Sequence, residues 1–78
     1  MKYYYRRLRD LREDYDLSQQ QIAQYLGTYQ SHYSKYERGV RDIPTEYLIR
    51  LADLYHTSID YILERTDDPK PYPQKRND

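Results

Sequence analysis

The chain has 78 residues, thirteen Lys and Arg against thirteen Asp and Glu, twelve Tyr as its only aromatics, and no Cys. A chain this short buries only about 60% of its unfolded surface, so the expectation is one domain with one shallow core, lacking disulfides and thiolate metal sites. Neither a signal-like apolar run nor the roughly 20 apolar residues of a membrane span occurs, which excludes a membrane protein and predicts a soluble, cytoplasmic one; the zero net charge gives no general pull toward nucleic acid.

In chain order, Tyr4, Leu8, Leu11 and Tyr15 are spaced four, three and four apart and predict a first amphipathic helix, closing near Asp16, a residue tolerant of left-handed backbone. Ser18 with Gln21 three residues on is a capping-box pattern, and Ile22, Ala23 and Leu26 supply the buried stripe of a second helix from about Ser18 to Leu26. Gly27 stops it. A third helix runs from about Gln30 to Arg38, with Tyr33 and Tyr36 as core residues, and Gly39 ends it. Pro44 suits the first turn of a fourth helix, whose buried face is Leu48, Leu51, Ala52 and Tyr55. Ser58 is the expected N-cap of a short fifth helix with Ile59, Ile62 and Leu63. Residues 1–65 form the domain on this reading, and 66–78, polar and proline-spaced without an apolar pattern, form a flexible tail.

Charge is distributed unevenly in spite of its balance. Lys2, Arg6, Arg7, Arg9 and Arg12 crowd the first segment, and Lys35, Arg38 and Arg41 surround Gly39. Two short helices joined by a glycine turn can present the second of them to the DNA major groove, about 12 Å wide. The stretch LSQQQIAQYLGTYQSHYSKYERG has that plan. With Leu11-Arg12 before it, Leu17-Ser18-Gln19 opening it, Ala23 and Leu26-Gly27 at its turn, Tyr36-Glu37-Arg38-Gly39 closing it and Ser58-Ile59-Asp60 beyond, the sequence resembles the Cro/C1-type helix-turn-helix family, also called the xenobiotic-response-element family, over about Arg6 to Leu63.

That resemblance implies an all-α, five-helix, lambda-repressor-like DNA-binding domain acting as a transcriptional regulator. Carried over residue by residue, it implies base contacts from Tyr29, Gln30, Ser31, Ser34 and Lys35, with the Gln30 amide suited to the N6 and N7 groups of adenine. Phosphate contacts are implied at Ser18, Gln19, Arg38 and Arg41, and an ion pair between Arg12 and Glu37 orienting the third helix. Departures from the family pattern are Tyr29 where a small Ser or Thr often caps that helix, which leaves Thr28 as an alternative cap; Val40 and Asp42 where some relatives carry Lys; and Asp16 where Gly is common.

One recognition helix reads too few bases to discriminate within a genome, so a homodimer on an inverted-repeat operator is expected, with half-sites about 34 Å apart. Tyr55, Tyr61 and Ile62 are the candidate dimer surface. The alternative is a protein-binding partner such as an antitoxin. His32 and His56 have no ligand-like companions, so neither a metal nor any other cofactor is expected, and no nucleophile elbow, phosphate loop or paired-carboxylate motif supports catalysis.

Overall fold

The computed structural model describes residues 4–73. Five helices, α1 (Arg6–Asp14), α2 (Gln19–Leu26), α3 (Gln30–Glu37), α4 (Thr45–Leu54) and α5 (Ile59–Ile62), follow one another with no strand among the described residues. Helix α1 packs on α3 and α5, α2 on α3, and α4 on α5. Leu8, Leu11, Ile22, Ala23, Leu26, Tyr33, Leu48, Leu51 and Ala52, expected from helical periodicity, share the core with Tyr5, Ile43, Tyr55 and Ile62, while Tyr15, on the predicted stripe of α1, is 45% exposed.

Local chemistry sets the boundaries. At the start of α2 the Ser18 hydroxyl accepts from the Gln21 N–H at 3.1 Å while the Gln21 side chain accepts from the Ser18 N–H at 2.8 Å, satisfying two donors that the first turn leaves unpaired. Ser58 caps α5 in the same way through the Tyr61 N–H. Each helix is followed within two positions by a residue with positive φ, namely Asp16, Gly27, Gly39, His56 and Glu64. In each case the next residue donates its N–H to the carbonyl five positions back, as Leu17 does to Arg12 and Val40 to Lys35. These bonds satisfy carbonyls that the last turn would leave orphaned. Pro44 precedes α4 rather than entering its first turn, and its carbonyl accepts from Tyr47 and Leu48.

Two expectations are corrected. The buried aromatic at the head of α1 is Tyr5, 6% exposed, whereas Tyr4 is 55% exposed. The reason is a contact remote in sequence: the Tyr5 hydroxyl accepts from the Ile43 N–H at 3.3 Å, closing the loop before α4. Second, Tyr55 and Ile62, expected at a dimer surface, are 2% and 0% exposed within a single chain. In the single turn of α5 Ile62 is the residue turned fully into the core, with Ile59 and Tyr61 only partly buried against it, and Tyr55 at the end of α4 packs against Tyr15 with ring centroids 5.1 Å apart.

Residues 66–73, expected as the start of a flexible tail, are mostly exposed but make polar contacts with the body, while 74–78 lie outside the described residues. The Arg7 guanidinium, stacked over the Tyr61 ring, donates to the carbonyls of Tyr61 at 2.8 Å and Thr66 at 2.7 Å and pairs with Asp67 at 2.7 Å. Further on, the Thr57 hydroxyl donates to the Pro69 carbonyl and the Tyr72 hydroxyl to Asp60. None of these contacts is apolar, so hydrophobic patterning could not announce them. At roughly 0.5–1.5 kcal/mol per partly buried hydrogen bond, truncation after Arg65 is expected to cost about 1–3 kcal/mol in urea unfolding. An unchanged midpoint would mean that the strap contributes nothing.

Candidate nucleic-acid interface

Helix α3 is amphipathic in an unusual way, because its inward face carries a tyrosine and a carboxylate. Tyr33 and Glu37, one turn apart, are buried; Tyr36 is half-buried edge-on to Tyr33 and Tyr47. A buried carboxylate needs charge compensation and hydrogen-bond donors. Arg12 supplies both, donating from Nε to Glu37 Oε2 at 2.7 Å and from Nη2 to Oε1 at 3.2 Å. The side chains are 15% and 4% exposed. A third donor comes from Gln19 Nε2 at 3.1 Å, and the remaining Arg12 nitrogen donates to the Leu17 carbonyl at 2.9 Å. Burial raises the Glu37 carboxyl pKa, but the hydrogen bonds from Arg12 and Gln19, the neighbouring Tyr33 hydroxyl and the Arg12 charge outweigh it, leaving the group below its ordinary value. The network ties α1, the start of α2 and α3 into one unit.

The opposite face of α3 meets solvent. Gln30, Ser31 and His32 are exposed, Ser34 and Lys35 half-buried, and Arg38, which closes the helix, is exposed with its Nε on the Ser34 hydroxyl at 3.3 Å. Tyr29 is the N-cap. It makes no side-chain capping bond, and its ring is 74% exposed. Thr28 does not take over the cap; its hydroxyl lies 3.5 Å from His32 Nδ1. Arg41 is exposed in the loop after α3.

The structure thus gathers Tyr29, Gln30, Ser31, Ser34, Lys35 and Arg38 on one side of one helix and its cap. Ser18 and Gln19 are placed differently from a simple phosphate grip. Their side chains are engaged in the capping box and on Glu37, so at the head of α2 the groups left for an anion are the first-turn N–H groups of Gln19 and Gln20, which have no intrahelical acceptor.

Sequence periodicity missed two residues here. His32 stands beside Tyr29, ring centroids 5.6 Å apart and nearly perpendicular. Arg50, from α4, donates to the carbonyls of Tyr25 and Leu26 and lies over the Tyr25 ring, while the Tyr25 hydroxyl donates back to the Arg50 carbonyl. A cation on the last carbonyls of α2 complements its dipole and fastens the turn before α3. Only the three-dimensional fold brings positions 25 and 50 together.

Electrostatics favour an anionic partner on this side in spite of the balanced total. No Asp or Glu occurs between Leu17 and Tyr36, and Glu37 is neutralised by Arg12. Acids collect elsewhere: Asp10, Glu13 and Asp14 on α1, Asp53 on α4, Asp60 on α5, Glu64 just after it, and Asp67 and Asp68 in the strap. Among the described residues no group of three His, Asp or Glu side chains could hold a metal ion, and no helix is long and apolar enough to cross a membrane.

Comparison with known proteins agrees with this geometry. A family model described as helix-turn-helix matches residues 8–62. The chain is 42% identical over 74 residues to the HTH-type transcriptional regulator YobD of Bacillus subtilis (strain 168), covering 95% of this chain and 66% of the relative. From the same organism, the HTH-type transcriptional regulator AnsR is 40% identical over 68 residues, covering 87% of this chain and 59% of its own length. ImmR, another HTH-type transcriptional regulator of that organism, is 34% identical over 62 residues, covering 80% and 49%. The chain therefore spans about half to two thirds of the length of these relatives. No solved structure gives a significant match.

Proposed function

The chain belongs to the helix-turn-helix family of Cro/C1 type, with its five-helix lambda-repressor-like fold, and from that premise we propose that it is a sequence-specific DNA-binding regulator of transcription, acting in the cytoplasm as a repressor. The observation that carries this reading is the exposed, acid-free start of α3, held at a defined angle by the buried Arg12–Glu37 pair. In it, α3 enters the major groove with Gln30 and Ser31 at base edges and Lys35 one turn on, Tyr29 at the mouth of the groove, and Ser34 held by Arg38 along the flank. Phosphates are taken by the α2 first-turn amides beside Ser18 and Gln19, and by Arg38 and Arg41.

Two copies on an approximate inverted repeat, with half-site centres about 34 Å apart, would supply the discrimination that one helix cannot. Of the three residues first considered for the contact between copies, Tyr61 alone remains partly accessible, and its ring is covered on one face by Arg7.

Selecting bound sequences from a random DNA pool tests the reading directly. Given a preferred site, Gln30→Ala is expected to weaken binding to it by about 1–3 kcal/mol with little effect on random DNA. Arg38→Ala and Arg41→Ala should lower affinity for every sequence, each lost phosphate contact flattening the slope of log affinity against log salt by about 0.9. Equal losses on both DNAs for Gln30→Ala, or unchanged slopes for both arginine variants, would remove these residues from their assigned roles. No enrichment at all would remove the function.

A further inference from the structure

His32 belongs to no motif, yet it is the side chain on the exposed face of α3 whose ring is most closely held. Its ring stands edge-on to Tyr29 at 85° with centroids 5.6 Å apart. Its Nδ1 lies 3.5 Å from the Thr28 hydroxyl, which precedes the helix. The two contacts restrain both the tilt of the ring and which nitrogen faces back toward the chain. With Nδ1 turned to Thr28, Nε2 at the far end of the ring is the nitrogen left for a partner. With the Thr28 hydroxyl donating to Nδ1 the imidazole hydrogen lies on Nε2, and the protonated ring carries one there too, so in both of these forms Nε2 is a donor; with Nδ1 donating to the hydroxyl instead, Nε2 is an acceptor. In the major groove guanine presents two adjacent acceptors, N7 and O6, and no donor, the edge best matched to a single N–H donor.

We propose that His32 is a specificity-determining residue of this interface, donating from Nε2 to a guanine edge, and that Tyr29 and Thr28 act as positioning residues that fix its ring. The proposal rests on the DNA-binding reading above and extends it to a side chain outside the family pattern. It also assigns the exposed Tyr29 ring a role: a residue that makes no capping bond serves as the wall against which the imidazole is set. Because His32 is exposed and its contacts are local, its replacement leaves the core untouched.

The test compares sequences selected from one random DNA pool by the wild-type protein and by His32→Ala, Tyr29→Phe and Tyr29→Ala, with affinities measured on the preferred site and on random DNA. The expected result is that His32→Ala loses the preference for guanine at one base position and binds the preferred site about 5- to 150-fold more weakly, with affinity for random DNA unchanged. Tyr29→Phe, which keeps the ring wall, should retain that guanine, and Tyr29→Ala should lose it while other positions depending on Gln30 persist. Three results would overturn the proposal: the same sequence enriched to the same degree by His32→Ala, an equal loss on random DNA, which would make His32 a phosphate contact, or a lost preference for a base other than guanine. If the wild-type protein itself enriches no sequence, the DNA-binding reading falls first. If the wild type enriches a site and His32→Ala retains it, only the present proposal falls.

Discussion

Replacement of Glu37 by alanine is expected to lower the unfolding free energy by about 3–5 kcal/mol, because it leaves the Arg12 guanidinium largely buried without its counter-charge. At roughly 0.05–0.15 kcal/mol per residue a 78-residue domain holds about 4–12 kcal/mol in total, so the variant stands at the edge of unfolding at room temperature. Urea titration followed by circular dichroism measures the loss. The double variant Arg12→Met, Glu37→Leu removes both charges and should recover part of it, but not all, since the Leu17 carbonyl and the Gln19 amide lose their partners as well.

Acidity offers an independent check on the same pair. The Glu37 carboxyl titrates lower in the folded chain than in the unfolded one, where its value is about 4.3. Its contribution is therefore complete above that unfolded value and fades as pH falls through the lower, folded one. The stability gap between wild type and Glu37→Ala should be constant near neutrality and narrow only on acidification below about pH 5. A gap independent of pH would show that the carboxylate charge is not what holds the two helices together.

Ile62→Ala is the second large effect. The side chain is fully buried beneath α5, and truncating a buried Ile costs about 2–5 kcal/mol, from lost transfer energy and from the cavity left behind. Were Ile62 part of a contact between copies, the same change would instead weaken association and make the midpoint depend on protein concentration. The expected result is a lowered, concentration-independent midpoint with unaltered sedimentation of the folded protein. A concentration-dependent loss would return Ile62 to the surface between copies.

The contrast between these two residues shows what could be read in advance. Helix starts and stops were legible because they are written within a few residues: Ser18 with Gln21, Ser58 before Ile59, and the glycines at 27 and 39 act on their own neighbourhoods. The family pattern pointed to Arg12 and Glu37, whose pairing across 25 positions no local rule contains. What stayed illegible depends on tertiary direction alone. Tyr4 and Tyr5 are chemically identical, and the choice of Tyr5 for the core is made by the backbone of Ile43. In a four-residue helix such as α5, the periodicity is too short to tell a buried position from an outward one, and so Ile62 was misread. The strap from Thr66 onward is fastened by carbonyls and hydroxyls, which leave no trace in an apolar pattern.

The uneven placement of charge also bears on how the molecule would meet a polyanion. A body with zero net charge experiences no net force in a uniform field, yet one whose α2 and α3 carry no acid but Glu37, which Arg12 neutralises, while the other acids lie on α1, α4, α5, the loops and the strap, experiences a torque. DNA would turn such a body before drawing it in, swinging the acidic end outward and leading with α3, so that a larger share of collisions begins in a productive orientation. The effect has the range of the Debye length, about 10 Å at 0.1 M salt, and acts only in the final approach. Avoidance of distant, indiscriminate attraction along nucleic acid and correct presentation at close range would then come from the same arrangement of residues.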